Sequence, residues 1–153
     1  MLDVVIIGGG RSGTATAQAC KNAGLSIAMI DLKPLSSEPE HITGKAFVAG
    51  PNRVAALDLK TGDETQILQS RVIVVATGAH NNLPNSAFLG LRKLGIELTE
   101  TGAIRIDESG QTSARTIFAI GSCTASGQPD LPCKIATAIT ALLQQNPAMS
   151  SLG

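Results

Sequence analysis

Aromatic residues are nearly absent from this chain: its 153 residues include no tryptophan, no tyrosine and three phenylalanines, Phe47, Phe88 and Phe118. A surface that stacks on bases or sugar rings is not expected from so few rings. An excess of either charge is also lacking, since twelve basic residues balance twelve acidic ones. Nothing in that balance neutralises a phosphate polymer or settles on an anionic membrane, so neither nucleic acid nor a membrane surface is an expected partner. Long hydrophobic runs are missing as well. The longest, Val4 to Ile7 and Val72 to Ala76, have the length of strands and fall far short of a bilayer's thickness, and no basic-then-apolar leader precedes Met1. A cytoplasmic location is the expectation. Cysteine is sparse and odd in number: Cys20, Cys123 and Cys133 lack the close spacing of a zinc site and suggest neither a disulfide framework nor a metal centre.

What is present is glycine in a pattern. The stretch VVIIGGGRSG, residues 4–13, carries a β-branched run straight into G-x-G-x-x-G at Gly8, Gly10 and Gly13. Each glycine has a mechanical reason. Gly8 permits a tight turn out of the strand, Gly10 removes a Cβ where a diphosphate approaches the backbone, and Gly13 lets the following helix lie close to the sheet. The helix start then offers unpaired N–H groups and partial positive charge to phosphate. Ser12 to Gly24 has the Ala-rich character of a crossover helix ended by a glycine, residues 26–31 form a second apolar strand, and Asp31 closes it eighteen residues after Gly13. An acid there suits an adenosine ribose. Asp31-Leu32 disfavours a 2′-phosphate on that ribose, while Lys33 keeps it open. Arg11 either pairs with the diphosphate or stands solvated at the helix start.

Downstream, residues 31–41 (DLKPLSSEPEH) hold two prolines and two serines and read as an irregular loop. From Ile42 to Ser70 short runs with a turn at Lys60 to Asp63 predict an antiparallel ribbon. RVIVVATG, residues 71–78, predicts a separate, fully buried strand. A short helix is expected over Ser86 to Leu94, strands over residues 102–108 (GAIRIDE) and 116–122 (TIFAIGS), and a last helix from Cys133 that places Ile135, Ile139 and Leu142 on one face before Asn146-Pro147 stops it.

VIVVATGA (72–79) and TSARTIFAIGSCTA (112–125), on either side of GIELTETGAIRIDE, resemble the FAD-binding domain of the pyridine nucleotide-disulfide oxidoreductase superfamily, which includes glutathione, mercuric and thioredoxin reductases and dihydrolipoamide dehydrogenase. The resemblance covers nearly the whole chain. It implies an α/β, three-layer Rossmann-like fold: a central parallel sheet with helices on one face and a small antiparallel ribbon, about residues 42–70, on the other, in one domain spanning 1–153. It implies that FAD is the cofactor. Gly8, Gly10, Arg11, Ser12 and Gly13 would face the diphosphate, Asp31 with Leu32 and Lys33 the adenosine ribose, Ala76, Thr77 and Gly78 the middle of the cofactor, and Gly121 with Ser122 the ribitol. The last helix would point its N-terminus at the flavin.

Departures from the family pattern are part of the reading. The redox-active cysteine pair, the NAD(P)H-binding domain and the dimerisation domain of the larger members have no counterpart here. The family's G-D is Gly121-Ser122, and exchanging a carboxylate for a hydroxyl costs on the order of 1 to 2 kcal/mol of affinity, about tenfold. The expected function is thus that of an FAD-binding flavoprotein of oxidoreductase type, with NAD(P)H or an electron-transfer protein as partner, and with self-association through surface that the missing domains cover in larger members. The alternatives are an NAD-binding Rossmann dehydrogenase and a non-catalytic nucleotide-binding module. Catalytic residues stay unassigned. Cys123 and Cys133 read as small side chains packed at a strand end and a helix start rather than as a redox pair, Cys20 as packing, His41 and His80 as surface histidines, and Asp130 and Lys134 as capping and solvation of the last helix.

Overall fold

The strand that opens the chain is set by its sequence: four consecutive β-branched residues, Val4 to Ile7, are buried on both sides within β1 (Leu2–Ile7). A computed structural model describes residues 2–8, 11–31, 41–58, 60, 61, 63–76, 94–97, 103–121 and 131–145. From β1 the chain enters α1 (Arg11–Asn22) and returns as β2 (Ile27–Asp31), parallel to β1 with Val4 opposite Ile27 and Ile7 opposite Ile30. This is the βαβ unit that the glycine pattern predicts. Gly24, at φ 82°, ends the helix, with Leu25 N–H donating to the Cys20 carbonyl and Gly24 N–H to that of Lys21, each at 3.0 Å.

Three further strands complete the parallel sheet: β3 (His41–Thr43) beside β2, the C-terminal half of β6 (Glu64–Val75) beside β1, and β7 (Ile117–Ala119) beside β6. The order is β3-β2-β1-β6-β7. The antiparallel ribbon consists of β4 (Lys45–Gly50), β5 (Arg53–Leu57) and the N-terminal half of β6. The second helix, α2 (Leu131–Gln145), covers the same side of the sheet as α1.

Alternation along the strands separates the layers. Val4 and Ile6 of β1, Met29 of β2, and Val72 and Val74 of β6 pack with Ala17 and Cys20 of α1 and with Ile135, Ile139 and Leu142 of α2. Val5, Ile7, Ile30, Ile73 and Val75 face the other way, onto Val48, Val54, Ala56 and Leu68 of the ribbon. Helices, parallel sheet and ribbon form the three expected layers.

Four segments differ from the sequence reading. The ribbon strand and the buried strand expected to follow it are one twelve-residue strand, β6. At Ser70 this strand changes partners. Ser70 N–H donates to the Asn52 carbonyl at 2.9 Å on the ribbon side, and its hydroxyl donates to the Val72 carbonyl at 2.8 Å, so a buried polar residue sits at the joint with its groups satisfied. Residues 41–43 belong to the parallel sheet rather than to a loop or the ribbon. Gly44 turns the chain between the two sheets: its N–H donates to the Asp31 carbonyl at 2.8 Å, and a Cβ there would meet the Leu57 carbonyl oxygen at 2.7 Å.

Residues 103–108 form no strand; Ile104 alone bridges, and it is buried in the ribbon-side core. The segment curls because Asp107 Oδ1 accepts from the N–H groups of Ser109 and Gln111, and the Asp107 carbonyl from that of Gly110. β7 is shorter than expected, three residues against 116–122. The expected stop at Asn146-Pro147, and the expected helix over 86–94 apart from Leu94, lie outside the described residues. No helix among the described residues is long and apolar enough to cross a membrane.

Candidate functional site

Parallel strands bring their C-terminal ends to one edge, and in an open α/β sheet that edge is where ligands bind. Here the edge is built by ladder hydrogen bonds that run past the strands themselves. Gly8 N–H donates to the Ile30 carbonyl at 2.7 Å, Ala76 N–H to the Ile7 carbonyl at 2.8 Å, and Ile120 N–H to the Val75 carbonyl at 2.9 Å. The residues that leave β1, β6 and β7 therefore stand in a row.

Gly8 has φ 105°, a conformation that disfavours side chains, and makes the turn out of β1. Gly13 is buried in the first turn of α1, where a Cβ would overlap the Gly8 carbonyl oxygen and stand 3.5 Å from the Ala76 Cβ. Helix and strand end approach more closely than any side chain permits. Gly121 follows β7 at φ 87°, and a Cβ there would meet Ser12 Oγ at 2.8 Å and Ser12 Cβ at 3.2 Å. Gly8, Ser12, Gly13, Ala76 and Gly121, drawn from both ends of the chain, thus lie together at the C-terminal edge of the sheet.

The local electrostatics suit an anion. Arg11, exposed, is the first residue of α1, and no acid occupies that helix's first turn, so its partial positive charge is not offset there. Asp31, half-buried, ends β2 on the same edge, and its backbone carbonyl is held by Gly44 N–H. The first turn of α2 is likewise free of acids. Gly10, Leu32, Lys33, Thr77, Gly78 and Ser122 lie outside the described residues. The residues that are described fit an extended ligand with a central diphosphate: two glycines in close approach at Gly8 and Gly13, a helix start with a cation, and a carboxylate one strand away.

The other titratable candidates disperse. Cys20 is fully buried on the sheet side of α1, and burial pushes its thiol up to about 11, which leaves it neutral and unreactive. Cys133 is exposed, which corrects its reading as a packed residue: it precedes Ile135, the first buried position described in α2. Lys134 is exposed beside it. His41 begins β3, and Cys123, His80 and Asp130 lie outside the described residues. Among the described residues no three His, Cys, Asp or Glu side chains are grouped so as to hold a metal ion. Two features had no signal in the sequence: the pivot at Gly44, and the contact of Ser12 with Gly121, which depends on the fold bringing distant segments together.

Comparison with known proteins agrees with this geometry. The dihydrolipoyl dehydrogenase of Geobacillus stearothermophilus is 25% identical over 138 residues, which cover 77% of this chain and 29% of that protein. The chloroplastic/mitochondrial glutathione reductase of Pisum sativum is 41% identical over 69 residues, covering 45% of this chain and 12% of that one. The chain spans less than a third of the length of these curated relatives. Among solved structures, a thioredoxin reductase from Gloeobacter violaceus superposes with a TM-score of 0.70 at 14% identity, covering 94% of this chain and 96% of that one, a likeness of fold. Homologues of this kind are FAD-dependent. The family described as pyridine nucleotide-disulphide oxidoreductase matches residues 43–144, well over half of the sequence, and the chain belongs to that family.

Proposed function

We propose that this chain binds FAD along the C-terminal edge of its parallel sheet and forms the flavin-holding part of an oxidoreductase. The observation that carries the reading is the convergence of Gly8, Gly13 and Ala76 at the start of α1, where a Cβ on Gly13 would overlap the Gly8 carbonyl oxygen. In this reading Gly8, Gly10, Arg11, Ser12 and Gly13 hold the diphosphate through N–H groups and the guanidinium. Asp31, flanked by Leu32 and Lys33, accepts hydrogen bonds from the adenosine ribose. Ala76, Thr77 and Gly78 border the middle of the cofactor, and Gly121 and Ser122 the ribitol. The first turn of α2, which holds no acid, would face the region where negative charge gathers on reduction.

FAD, when bound, supplies the electron-transfer chemistry; the chain supplies binding, orientation and electrostatics. The ribbon layer and the family match over 43–144 support FAD over NAD for the glycine turn. Electrons arrive either from NAD(P)H meeting the flavin directly or from a protein partner. The test is the visible absorption spectrum of the purified chain after incubation with FAD and gel filtration, followed by anaerobic addition of NADH and NADPH. Retained flavin absorption supports the cofactor assignment, and bleaching identifies the donor. Colourless protein that retains no FAD overturns the proposal.

A further inference from the structure

We propose that Ser12 is a positioning residue whose size sets the spacing between the diphosphate turn and the end of β7, and that its contact with Gly121 joins the two halves of the FAD cleft. The inference rests on the FAD reading above and concerns what keeps the cleft at a fixed width. Ser12 and Gly121 are more than a hundred residues apart in sequence, yet a single added carbon on Gly121 would meet both side-chain heavy atoms of Ser12, at 2.8 and 3.2 Å. Gly121 sits at φ 87°, a backbone conformation that side chains rarely adopt, and the space a Cβ would take there is filled by Ser12.

Neither partner in the contact is free to retreat. On the helix side, the Ser12 carbonyl accepts from Thr16 Oγ1 at 2.8 Å, and Thr16 is fully buried, so the first turn of α1 is tied to the core. Gly13, the next residue, already lies against the Gly8 carbonyl and cannot move toward the sheet. On the strand side, Ile120 is buried and its N–H is bound to the Val75 carbonyl at 2.9 Å. A larger side chain at 12 therefore has to press on Gly121, because both backbones are anchored within one residue or one helical turn of the contact. Gly8 and Asp31 are held by separate hydrogen bonds, Gly8 N–H to the Ile30 carbonyl and the Asp31 carbonyl to Gly44 N–H, neither of which involves Ser12 or Gly121.

The consequence separates two ligands. FAD spans both halves of the cleft in this reading, whereas ADP needs only the turn and Asp31. Valine at 12 adds bulk that cannot swing freely, since a β-branched residue in a helix is confined to one preferred rotamer. Titration of the whole chain with FAD and, separately, with ADP is expected to show Ser12→Val weakening FAD at least tenfold and ADP less than twofold. Ser12→Thr is the milder form, with the same direction of change, and keeps the test intact should valine impair folding. Ser12→Ala, which removes bulk instead of adding it, is expected to weaken FAD less than valine does. Equal weakening of FAD and ADP, no weakening of either, or an alanine variant as impaired as valine overturns the inference while leaving FAD binding in place. Failure of the unaltered chain to bind FAD overturns the functional reading itself, and this inference with it.

Discussion

A methyl group on Gly13 would overlap the carbonyl oxygen of Gly8. That relationship brings the first turn of α1 against the end of β1. Since the obstacle is a main-chain atom of Gly8, a residue tied to the sheet through its N–H, Gly13→Ala has to push helix and strand apart. The expected cost is about 1–3 kcal/mol of stability, read from urea unfolding, together with at least tenfold weaker FAD binding in the folded protein. A variant as stable as the parent and binding FAD equally would mean that the close approach is unimportant.

A second glycine works at a distance from the diphosphate turn. Gly110, at φ 84°, lies under α2, where a Cβ would stand 2.7 Å from Ile135 Cγ1 and 3.3 Å from the Ala119 carbonyl oxygen. Its N–H donates to Asp107 and its own carbonyl accepts from Ala119 N–H at 2.9 Å, so the turn cannot shift without breaking β7's hydrogen bonding. Gly110→Ala combines an unfavourable backbone conformation with overpacking and is expected to lower stability by about 2 kcal/mol or more. Thermal unfolding followed by circular dichroism checks this; an unchanged midpoint contradicts it.

Cys20 links packing to pH. Burial raises its thiol from 9.0 to about 11 in the folded protein. Between these values the unfolded chain has released the proton and the folded chain has kept it, so stability is at its full value below pH 9 and falls as pH rises toward 11. Removing the thiol removes this slope. The difference in unfolding free energy between the parent chain and Cys20→Ala, measured from pH 8 to 11, should therefore shift in favour of the alanine variant as pH rises. A constant difference would show that Cys20 does not titrate as its burial requires. In the native protein a maleimide should label exposed Cys133 well before Cys20.

The family's G-D stands as Gly121-Ser122 in this chain. Restoring the carboxylate should replace a neutral hydrogen bond to the ribitol by a charge-assisted one, with a gain on the order of tenfold in FAD affinity. Titration of Ser122→Asp with FAD tests this. Unchanged or weaker binding would remove Ser122 from the ribitol site.

Much of this fold could be read before any coordinates, and the parts that could were local. Val4 to Ile7 followed by glycine predicts a doubly buried strand and its turn, because neither feature depends on distant partners. The helical spacing of Ile135, Ile139 and Leu142 works in the same way. What escaped was set by tertiary pairing. Ser70 looks like a strand end, yet it is a joint where one strand passes from ribbon to sheet, its hydroxyl satisfied within its own strand. Residues 103–108 alternate like a strand, but Asp107 binds the amides ahead of it and curls the chain instead. His41–Thr43 is too short to announce itself and depends on β2 for its pairing. The candidate site divides similarly. The glycines and Asp31 are legible from spacing, whereas the contact of Ser12 with Gly121 exists only because β7 lies beside β6 and β6 beside β1.

The measurement that bears most directly on the account is equilibrium titration of the purified chain with FAD, following flavin fluorescence, with Gly13→Ala alongside. The account predicts saturable binding of one FAD per chain, weakened at least tenfold by the alanine. No saturable binding, or binding indifferent to that substitution, would contradict it.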